Sequence, residues 1–485
     1  MSFDTIEYII FLPVVLLLYA AFKGRIQIGI LLVSSLFFYA FWNVWYLSLI
    51  FVTILSTYLS GIAISDHGSE VRKKQLLFVN IAVNITILGI FKYYNFFTDN
   101  IRSLLGLENG SFIPELDLLL PVGISFYTFQ AIGYSIDVYR GKTQPEKNLT
   151  IYSLYVVFFP QLVAGPIERS YQLLPQFKVL KKVNYEDLHE GLKLVIWGFF
   201  KKLVIADNIA LFVDSNFSHV ENSGAATLMF AAILFSFQIY CDFSGYSDIA
   251  IGSARMMGFR LMKNFDNPYL ASSISDFWRR WHISLSTWFR DYVYIPLGGN
   301  KGSKVSLYRN ILFVFLLSGL WHGASWTFVV WGAFHGIILI LEHIFKPVSS
   351  KVHSFVEQIN LGWLYKSVKV LFVFILVSFS WIIFRSDTIT DATYIIREIS
   401  THLLDLPFDV IAILSGDIIL KSFPIEDLRF ICLLILGVLI VEKLFLLKKL
   451  GGAYSWCRML IYCLIIFTIL FEGKFGRSEF IYFQF

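Results

Sequence analysis

The stretch FWRRWHISLSTWFRDYVYIPLGGN, residues 277–300, brings aromatic, basic and histidine side chains together in an otherwise strongly apolar chain. A second such stretch, SGLWHGASWTF, covers residues 318–328. Each contains one histidine, His282 in the first and His322 in the second. Imidazole changes its charge near neutral pH, so it is suited to accept a proton from a hydroxyl group. An ionisable side chain inside a bilayer is unfavourable unless it lines a cavity or has partners, so an intramembrane histidine usually has a function. These two histidines are therefore the leading candidates for a reactive site.

The composition around these stretches is that of an integral membrane protein. Of the 485 residues, 56% are hydrophobic, 18% are aromatic and only 15% are charged, and the net charge is +5. A soluble domain carries roughly a quarter charged residues, so lipid is the expected solvent for much of the surface. The modest positive charge does not favour a nucleic-acid partner. The four cysteines form no CxxC pair, and we expect packed thiols and no disulfide framework.

Apolar runs long enough to cross a bilayer, about 17–25 residues each, recur through the chain. They predict an all-α integral membrane protein, a multi-span helical bundle of about 11–12 spans. Two of these crossings are expected within 311–345. The other predicted spans lie near 6–22, 27–42, 44–64, 76–97, 118–138, 191–212, 225–246, 370–386, 430–447 and 456–472.

Loops rich in lysine and arginine alternate along the chain with loops poor in them. Because cytoplasmic loops are enriched in these residues, the alternation predicts the orientation of the spans. The alternation places both termini outside the cytoplasm. The N-terminus carries Asp4 and Glu7 and no basic segment, which favours an anchor over a removable signal peptide.

Two stretches fit neither a span nor an ordinary loop, residues 150–166 and 268–298. Irregular backbone at membrane depth is tolerated only where protein or a water-filled cavity covers it. We therefore expect re-entrant or interfacial helices around a central tunnel that opens to the cytoplasm. The long acidic loop 387–429 is expected to form an extracytoplasmic helical cap. No internal repeat is evident, so residues 1–485 are predicted to form one domain.

Polar residues in the predicted spans are candidates for lining the tunnel. Asp242, Ser244, Tyr246 and Asp248 lie in CDFSGYSD, and they are expected to line it or to pair with arginines. A transporter would show the same trait. Trp321 and Trp326 flank His322 and are expected to exclude water from it.

The residues around His282 suggest how that imidazole is controlled. If the segment is helical, Asp276, Arg279 and Arg280 lie within a turn or two of His282 and can orient it or hold it charged. The alternative is an interfacial aromatic and basic helix whose histidine reaches the membrane surface.

The sequence also resembles a known family in several separated blocks. The blocks are FFPQLVAGPIERS (158–170), YCDFSGYSDIAIGSARMMGF (240–259), NFDNPYL (264–270), GAFHG (332–336) and the two histidine stretches. They are similar to the membrane-bound O-acyltransferase family, in its bacterial branch of alginate and peptidoglycan O-acetylation and teichoic acid D-alanylation proteins. The resemblance implies a multi-pass enzyme of the bacterial cytoplasmic (inner) membrane, in contact with membrane lipid. It implies that His322 is catalytic and that His282 is the second polar member of the site.

The donor that this resemblance implies is a cytoplasmic thioester, with acetyl-CoA as the expected acyl donor and no tightly bound cofactor. Basic residues near His282 either attract the phosphates of coenzyme A or only set the topology: Arg279, Arg280, Arg290, Lys301 and Lys304. His335, the third histidine of these blocks, is expected to be structural. The spacing of the histidines predicts no metal site.

The C-terminal aromatic tail FGRSEFIYFQF, residues 475–485, contains a further candidate. Tyr482 within FIYF resembles the aromatic C-terminal motif of the teichoic acid D-alanylation system, in which a tyrosine receives the acyl group. One hypothesis is an acyl relay in which His322 activates the Tyr482 hydroxyl. The alternative is an aromatic anchor at the membrane interface.

The leading interpretation is O-acetylation of a cell-envelope polysaccharide such as alginate or peptidoglycan. The acetyl group would pass to an extracytoplasmic acetyltransferase partner of the SGNH type or to a glycan acceptor. D-alanyl transfer to teichoic acid, with an acyl carrier protein on the cytoplasmic side, is the enzymatic alternative. A non-catalytic acyl or lipid transporter is the alternative from another class, and it would favour inverted repeats, which we do not find.

Overall fold

The computed structural model describes residues 1–106, 114–179, 182–415, 425–446, 455–476 and 480–483. Every regular element within these ranges is a helix, which confirms the predicted all-α fold. The residues group into two compact units. The first comprises Met1–Val195, Tyr246–Lys263 and Thr287–Val293, and the second comprises Ile196–Gly245, Asn264–Ser286 and Tyr294–Phe485. Each unit is discontinuous in the chain, where the sequence predicts one domain.

The first unit contains most of the N-terminal helices. Thr5 caps the first of them, because its side chain accepts from the main-chain N–H of Tyr8, and Asn148 caps α6 by accepting from Ile151. The helices are α1 (Ile6–Ala21), α2 (Arg25–Ala40), α3 (Leu47–Asp66), α4 (Glu70–Leu105), α5 (Ile124–Tyr139), α6 (Leu149–Val157), α7 (Phe159–Leu162), α8 (Ser170–Lys178) and α9 (Tyr185–Phe199), of which α9 continues past Val195 into the second unit.

The second unit contains the C-terminal helices, both candidate histidines and their stretches, except for residues Thr287–Val293 of the first stretch. A π-helical segment, Phe200–Ala206, follows α9, and a second one, Arg290–Tyr294, follows α13 and belongs to the first unit as far as Val293. The α-helices are α10 (Asp207–Phe217), α11 (Ala225–Met256), α12 (Ile274–Arg280), α13 (Ile283–Phe289), α14 (Lys304–His322), α15 (Trp326–Gln358), α16 (Gly362–Arg385), α17 (Ile389–Thr401), α18 (Leu406–Ser415), α19 (Ile425–Leu446) and α20 (Ser455–Glu472), and the last residues of α11 and α13 belong to the first unit.

Long apolar helices make the chain a multi-pass membrane protein. Among the described residues, six helical stretches are long and apolar enough to cross a bilayer: Val44–Asp66, Glu70–Leu105, Ala225–Met256, Lys304–His322, Trp326–Gln358 and Gly362–Arg385. Three apolar helices are shorter, Ile6–Ala21, Arg25–Ala40 and Met459–Glu472. The larger total expected from the sequence, about 11–12 crossings, stays a prediction, as do the sidedness of the termini and the tunnel.

The segments predicted to be irregular are short helices. Residues 150–166 contain α6 and the four-residue α7, and both are largely buried. Residues 268–298 contain the 3-10 turn Pro268–Leu270, α12, α13 and a π-helical segment, so no span crosses there. The predicted cap, 387–429, begins with α17 and α18, and its residues 416–424 lie outside the described ones.

Glycines allow α14, which ends at His322, to pack closely against α15. A Cβ atom on Gly319 would overlap the carbonyl oxygen of Phe328, and one on Gly332 would overlap the carbonyl oxygen of Phe315. Small residues at helix crossings let backbones approach in membrane proteins, where packing replaces the hydrophobic driving force.

Gly319→Ala is therefore expected to destabilise the protein by about 1–3 kcal/mol, the usual effect of overpacking a close contact. The measurement is thermal unfolding of the detergent-solubilised protein, followed by fluorescence-detected size-exclusion chromatography.

Gly89→Ala is the matched control, because Gly89 also lies in a long apolar helix but a Cβ atom there would have nothing within 4 Å. We expect Gly89→Ala to unfold at the wild-type temperature or above it. Equal unfolding temperatures for the two variants would remove the close-packing argument.

Candidate active site

Three reactive side chains from distant parts of the sequence meet in the second unit. The ring centroids of His322 and Tyr482 are 5.5 Å apart, and those of His282 and His322 are 6.5 Å apart. The centroids of His282 and Tyr482 are 6.3 Å apart. Two aromatic rings complete the group: Phe243 lies 4.6 Å from both His282 and Tyr482, and Trp321 lies 5.8 Å from His282. We call these five residues the ring cluster.

His322 is the last residue of α14 and is only 3% exposed. Its neighbours are aromatic: Trp331 and Phe384 lie with their ring centroids 5.0 and 5.5 Å from the imidazole, in addition to Tyr482. Such rings keep water from the imidazole and leave its basicity available to a nearby hydroxyl group. A position at a helix end also brings it next to the break between α14 and α15.

His282 lies in a sharp break between α12 and α13, with φ at 43°. A positive φ is uncommon for a side chain with a Cβ atom, and such strain is often found at functional sites. The expectation that a continuous helix carries His282 is wrong, because α12 ends at Arg280 and Trp281 is extended. Asp276 pairs with Arg280 at 2.9 Å on α12 itself.

The NFDNPYL block holds this break in place. The main-chain N–H of Asp266 donates to the carbonyl oxygen of Arg280, and that of Ile283 donates to the carbonyl oxygen of Asn264, both at 2.9 Å. The buried Asn264 side chain accepts from the N–H of Ser284 at 3.2 Å and from its hydroxyl at 2.9 Å. These bonds satisfy the main-chain groups that the helix break frees.

One hydrogen bond assigns the tautomer of His282. The main-chain N–H of Leu285 donates to Nδ1 of His282 at 3.4 Å. Because Nδ1 accepts, the ring is neutral and its proton is on Nε2. His282 is thus arranged as a hydrogen-bond donor through Nε2, a role that suits the stabilisation of developing negative charge on an acyl oxygen.

A buried charge network lies beside the ring cluster, and the sequence analysis missed most of it. Lys202 pairs with Asp207 at 2.8 Å and with Asp242 at 2.9 Å, and all three side chains are almost fully buried. Lys201 donates to the Ser244 hydroxyl at 2.9 Å and lies 3.5 Å from Glu442. Two lysines inside the predicted span 191–212 were the available signal, since ionisable residues at membrane depth are usually functional or paired.

The local backbone explains how these lysines reach α11. They lie in the π-helical segment Phe200–Ala206, and π-helical turns are frequent at functional sites. Gly245 permits the close approach, because a Cβ atom there would lie 2.8 Å from the carbonyl oxygen of Gly198 and 3.1 Å from the main-chain N of Lys202. The predicted span 191–212 is therefore an interrupted helix.

The C-terminal segment reaches the same place. The main-chain N–H of Ile481 donates to Oδ2 of Asp242 at 2.8 Å, and Phe480 and Ile481 are buried. Residues 477–479 and 484–485 of the predicted tail lie outside the described residues. Asp242 thus joins the charge network to the segment that carries Tyr482.

The four polar residues of CDFSGYSD do not share one helix face. Residues two apart on an α-helix point in different directions, so Asp242 and Ser244 contact different partners on α11. Tyr246 stacks on Phe3 within the first unit, at a centroid distance of 4.3 Å, and Asp248 is half-buried in that unit. Asp242 and Ser244 therefore belong to the second unit, whereas Tyr246 and Asp248 belong to the first, and the expectation that the four line a tunnel or pair with arginines stays a prediction.

Two tryptophans that flank His322 in sequence differ in position. Trp321 is buried in the ring cluster, whereas Trp326 is 55% exposed at the start of α15. The expectation that both indoles exclude water from His322 stays a prediction.

His335 lies apart from Tyr482, in contacts that suit the structural role predicted for it. Trp278 Nε1 donates to its Nδ1 at 3.3 Å, and its Nε2 lies 3.0 Å from the Ser380 hydroxyl. With Nδ1 accepting, Nε2 carries the proton and donates to Ser380, so both ring nitrogens are engaged.

Several basic side chains suggested for phosphate binding are exposed: Arg279, Lys301 and Lys304. Arg290 is also exposed and bonds Asp291 at 2.8 Å. Across the described ranges, no group of three or more His, Cys, Asp or Glu side chains is placed to hold a metal ion.

The GPIERS block forms a separate polar core in the first unit. Glu168 accepts from the main-chain N–H of Met262, and burial raises the pKa of its carboxyl group to about 8. Arg169 pairs with Asp291 at 3.3 Å. The block therefore ties the loop before α8 to the segment that follows α11 and to the π-helical segment Arg290–Tyr294.

The ring cluster has the parts that acyl transfer needs. An imidazole such as that of His322 can act as a base, a hydroxyl such as that of Tyr482 can act as a nucleophile, and Nε2–H of His282 can act as a donor to an oxyanion. The surrounding rings exclude water, which would otherwise compete for an activated acyl group.

Comparison with known proteins agrees with this chemistry. Residues 147–384 match MBOAT, the membrane-bound O-acyltransferase family. The chain is 42% identical to the probable alginate O-acetylase of Pseudomonas syringae pv. tomato, over 78% of this chain and 71% of the relative. It is 34% identical to the peptidoglycan O-acetyltransferase of Helicobacter pylori, over 94% of this chain and 91% of the relative. Identity to the teichoic acid D-alanyltransferase of Bacillus subtilis is 28%, over 49% of this chain and 62% of the relative. The chain therefore belongs to the membrane-bound O-acyltransferase family and is an O-acyltransferase.

Proposed function

We propose that this enzyme takes an acetyl group from a cytoplasmic thioester onto Tyr482 and passes it on for O-acetylation of a cell-envelope polysaccharide. The observation that carries the proposal is the position of the Tyr482 ring, whose centroid lies 5.5 Å from that of His322 and 6.3 Å from that of His282. Burial of Phe480 and Ile481 beside it argues against a tail that only anchors at the membrane interface.

In the first step, the Tyr482 hydroxyl loses its proton to the His322 imidazole, and the phenolic oxygen attacks the thioester carbonyl carbon. Negative charge develops on the carbonyl oxygen, and Nε2–H of His282 is the donor that stabilises it. The carbon–sulfur bond then breaks, and the departing thiolate takes the proton from His322. The products are acetyl-Tyr482 and the free thiol.

In the second step, an acceptor hydroxyl attacks the acetyl-tyrosine ester. The bond between the acetyl carbon and the tyrosine oxygen breaks, and the proton of the acceptor hydroxyl passes to the tyrosine oxygen. A phenol is more acidic than a sugar alcohol, so the phenolate is the better leaving group and the ester is a reactive carrier.

Acetyl-CoA is the donor we propose, and the exposed basic residues Arg279, Lys301 and Lys304 are suited to its phosphates. The acceptor is proposed to be an extracytoplasmic acetyltransferase partner of the SGNH type, or a glycan directly. The names of the relatives with 42% and 34% identity support alginate or peptidoglycan as the class of polymer. The relative named for teichoic acid aligns with less of the chain, so D-alanyl transfer is the weaker alternative.

The test is mass spectrometry of the C-terminal peptide after the purified enzyme has been incubated with acetyl-CoA and no acceptor. We expect one added acetyl group on Tyr482, because without an acceptor the second step cannot proceed. Tyr482→Phe should carry no adduct and should no longer transfer acetyl groups.

Tyr240→Phe is the matched control, because Tyr240 is also a buried tyrosine of the second unit but donates to Glu442 at 2.7 Å. Its protein should still acquire acetyl on Tyr482. Full transfer activity in Tyr482→Phe would show that His322 activates the acceptor hydroxyl without a relay.

A further inference from the structure

We propose that Asp242 is the positioning residue that seats the C-terminal segment, by accepting a hydrogen bond from the main-chain N–H of Ile481. The seat comprises Asp242, Lys202, Asp207 and Phe243, and its occupant is residues 480–482 of the same chain. The consequence for acyl transfer rests on the proposed function of Tyr482, whereas the seat itself rests on the contacts below.

The first contact is a hydrogen bond to a carboxylate. Ile481 N lies 2.8 Å from Oδ2 of Asp242, which is 3% exposed. A hydrogen bond to an ionised group is stronger than one between neutral groups, and burial strengthens it further. Because the donor belongs to the main chain, the contact fixes the path of the segment and leaves the Tyr482 ring outside the bond.

Lys202 holds Asp242 in the orientation that this bond needs. Its Nζ lies 2.9 Å from Oδ1 of Asp242, so the other carboxylate oxygen, Oδ2, faces Ile481. Asp207 in turn pairs with Lys202 at 2.8 Å. Two carboxylates share one ammonium group, and the main-chain N–H of Ile481 supplies additional partial positive charge to Asp242.

The chain before the seat is tied to the same π-helical segment and to α10, which follows it. The main-chain N–H of Lys474 donates to the carbonyl oxygen of Leu203 at 3.1 Å, and the Asn208 side chain donates to the carbonyl oxygen of Glu472 at 3.0 Å. The end of α20 and the bond to Asp242 are therefore two separate attachments of the C-terminal region.

Phe243, next to Asp242 on α11, supplies the apolar side of the seat. Its ring centroid lies 5.7 Å from that of Phe480 and 4.6 Å from those of Tyr482 and His282. Two neighbouring residues of α11 therefore contact the segment. Asp242 binds its main chain, and Phe243 packs between the rings of Tyr482 and His282.

The experiment measures, by mass spectrometry, the release of C-terminal peptides by a broad-specificity endoprotease such as proteinase K from the full-length protein in detergent. In the wild type, peptides that contain Ile481 and Tyr482 are expected to be released slowly. Asp242→Ala and Ile481→Pro, which remove the acceptor and the donor, should each speed their release by about 10–100-fold, the range for a hydrogen bond to a charged group. Asp242→Asn keeps an acceptor oxygen and should restore part of the protection.

Two matched controls separate the seat from general destabilisation. Ile481→Ala keeps the main-chain N–H and should release Tyr482 more slowly than Ile481→Pro does. Glu442→Gln removes a partly buried carboxylate of the neighbouring network, which bonds Tyr240 and Lys201, and should leave the protection unchanged.

Asp242→Ala combined with Ile481→Pro should release Tyr482 no faster than either single variant, because both remove the same bond. If the two substitutions multiply each other's effect on the release rate, the proposed seat is wrong. The same holds if the Ile481→Pro protein is as protected as the wild type. Tyr482→Phe should keep its Ile481 protected, since the contact uses the main chain. If Ile481 is protected in the wild type but Tyr482 acquires no acetyl group, the seat is retained and only the acyl relay is rejected.

Discussion

Replacing His322 with alanine is expected to lower the rate of acetyl transfer by about 10²–10⁴-fold, the usual contribution of a positioned general base. The imidazole lies at a centroid distance of 5.5 Å from the Tyr482 ring in an aromatic site, closer than that of His282 at 6.3 Å. Without it, no group of the ring cluster takes the hydroxyl proton, because Nε2 of His282 already carries one. The measurement is the initial rate of acetyl transfer from acetyl-CoA by detergent-purified protein, normalised to the folded fraction.

His335→Gln is the matched control for this variant. His335 is another buried histidine of the second unit, but its nitrogens bond Trp278 and Ser380. Glutamine can both donate and accept there, so we expect a lower unfolding temperature with the rate per folded molecule retained. A monodisperse His322→Ala protein that transferred acetyl at the wild-type rate would falsify the catalytic assignment.

The fold class was predictable because a long apolar run with few charges is typical of a helix that crosses a bilayer. The runs at 44–64 and 225–246 each lie within one long apolar helix, Val44–Asp66 and Ala225–Met256. The stretch 150–166 also shows the short, buried helices that its Pro160 and Gly165 suggested. Hydropathy reports on the average environment of about twenty residues. It therefore predicts that a helix is present, but not where that helix is interrupted.

The geometry at His282 was beyond the reach of local sequence patterns. The stretch FWRRWHISL favours a helix, and a helical His282 was the natural expectation. The break depends on Asn264 and Asp266, which pair with the main chain on either side of it. Such a tertiary contact overrides local propensity, and only a structure brings the two segments together.

The two buried lysines of the charge network could have been singled out from the sequence. Lys201 and Lys202 lie in the middle of the predicted span 191–212, where the rule applied to His322 applies equally. Their partners were not predictable, since Asp242 is about forty residues away on another helix and Glu442 is far along the chain. The Tyr482 hypothesis came from a resemblance in the tail, and its place beside the histidines came only from the structure.

Lys202→Met is expected to destabilise the protein by about 3–5 kcal/mol, the usual effect of removing one partner from a buried ion pair. Methionine has a similar length and fills the site, so the loss does not come from a cavity. It comes from Asp207 and Asp242, which would stay buried without the ammonium group that lies 2.8 and 2.9 Å from them. The measurement is the unfolding temperature in detergent, together with the yield of monodisperse protein.

The informative comparison is the triple variant Lys202→Met, Asp207→Asn, Asp242→Asn, which removes all three charges. If the loss in Lys202→Met is the burial of two carboxylates without the Lys202 ammonium group, the triple variant should recover much of the stability, because neutral amides are far less costly to bury than carboxylates. It also keeps an acceptor oxygen at residue 242 for the main chain of Ile481. A triple variant as unstable as Lys202→Met would mean that the lysine contributes through packing, and that charge pairing is not what maintains this part of the second unit.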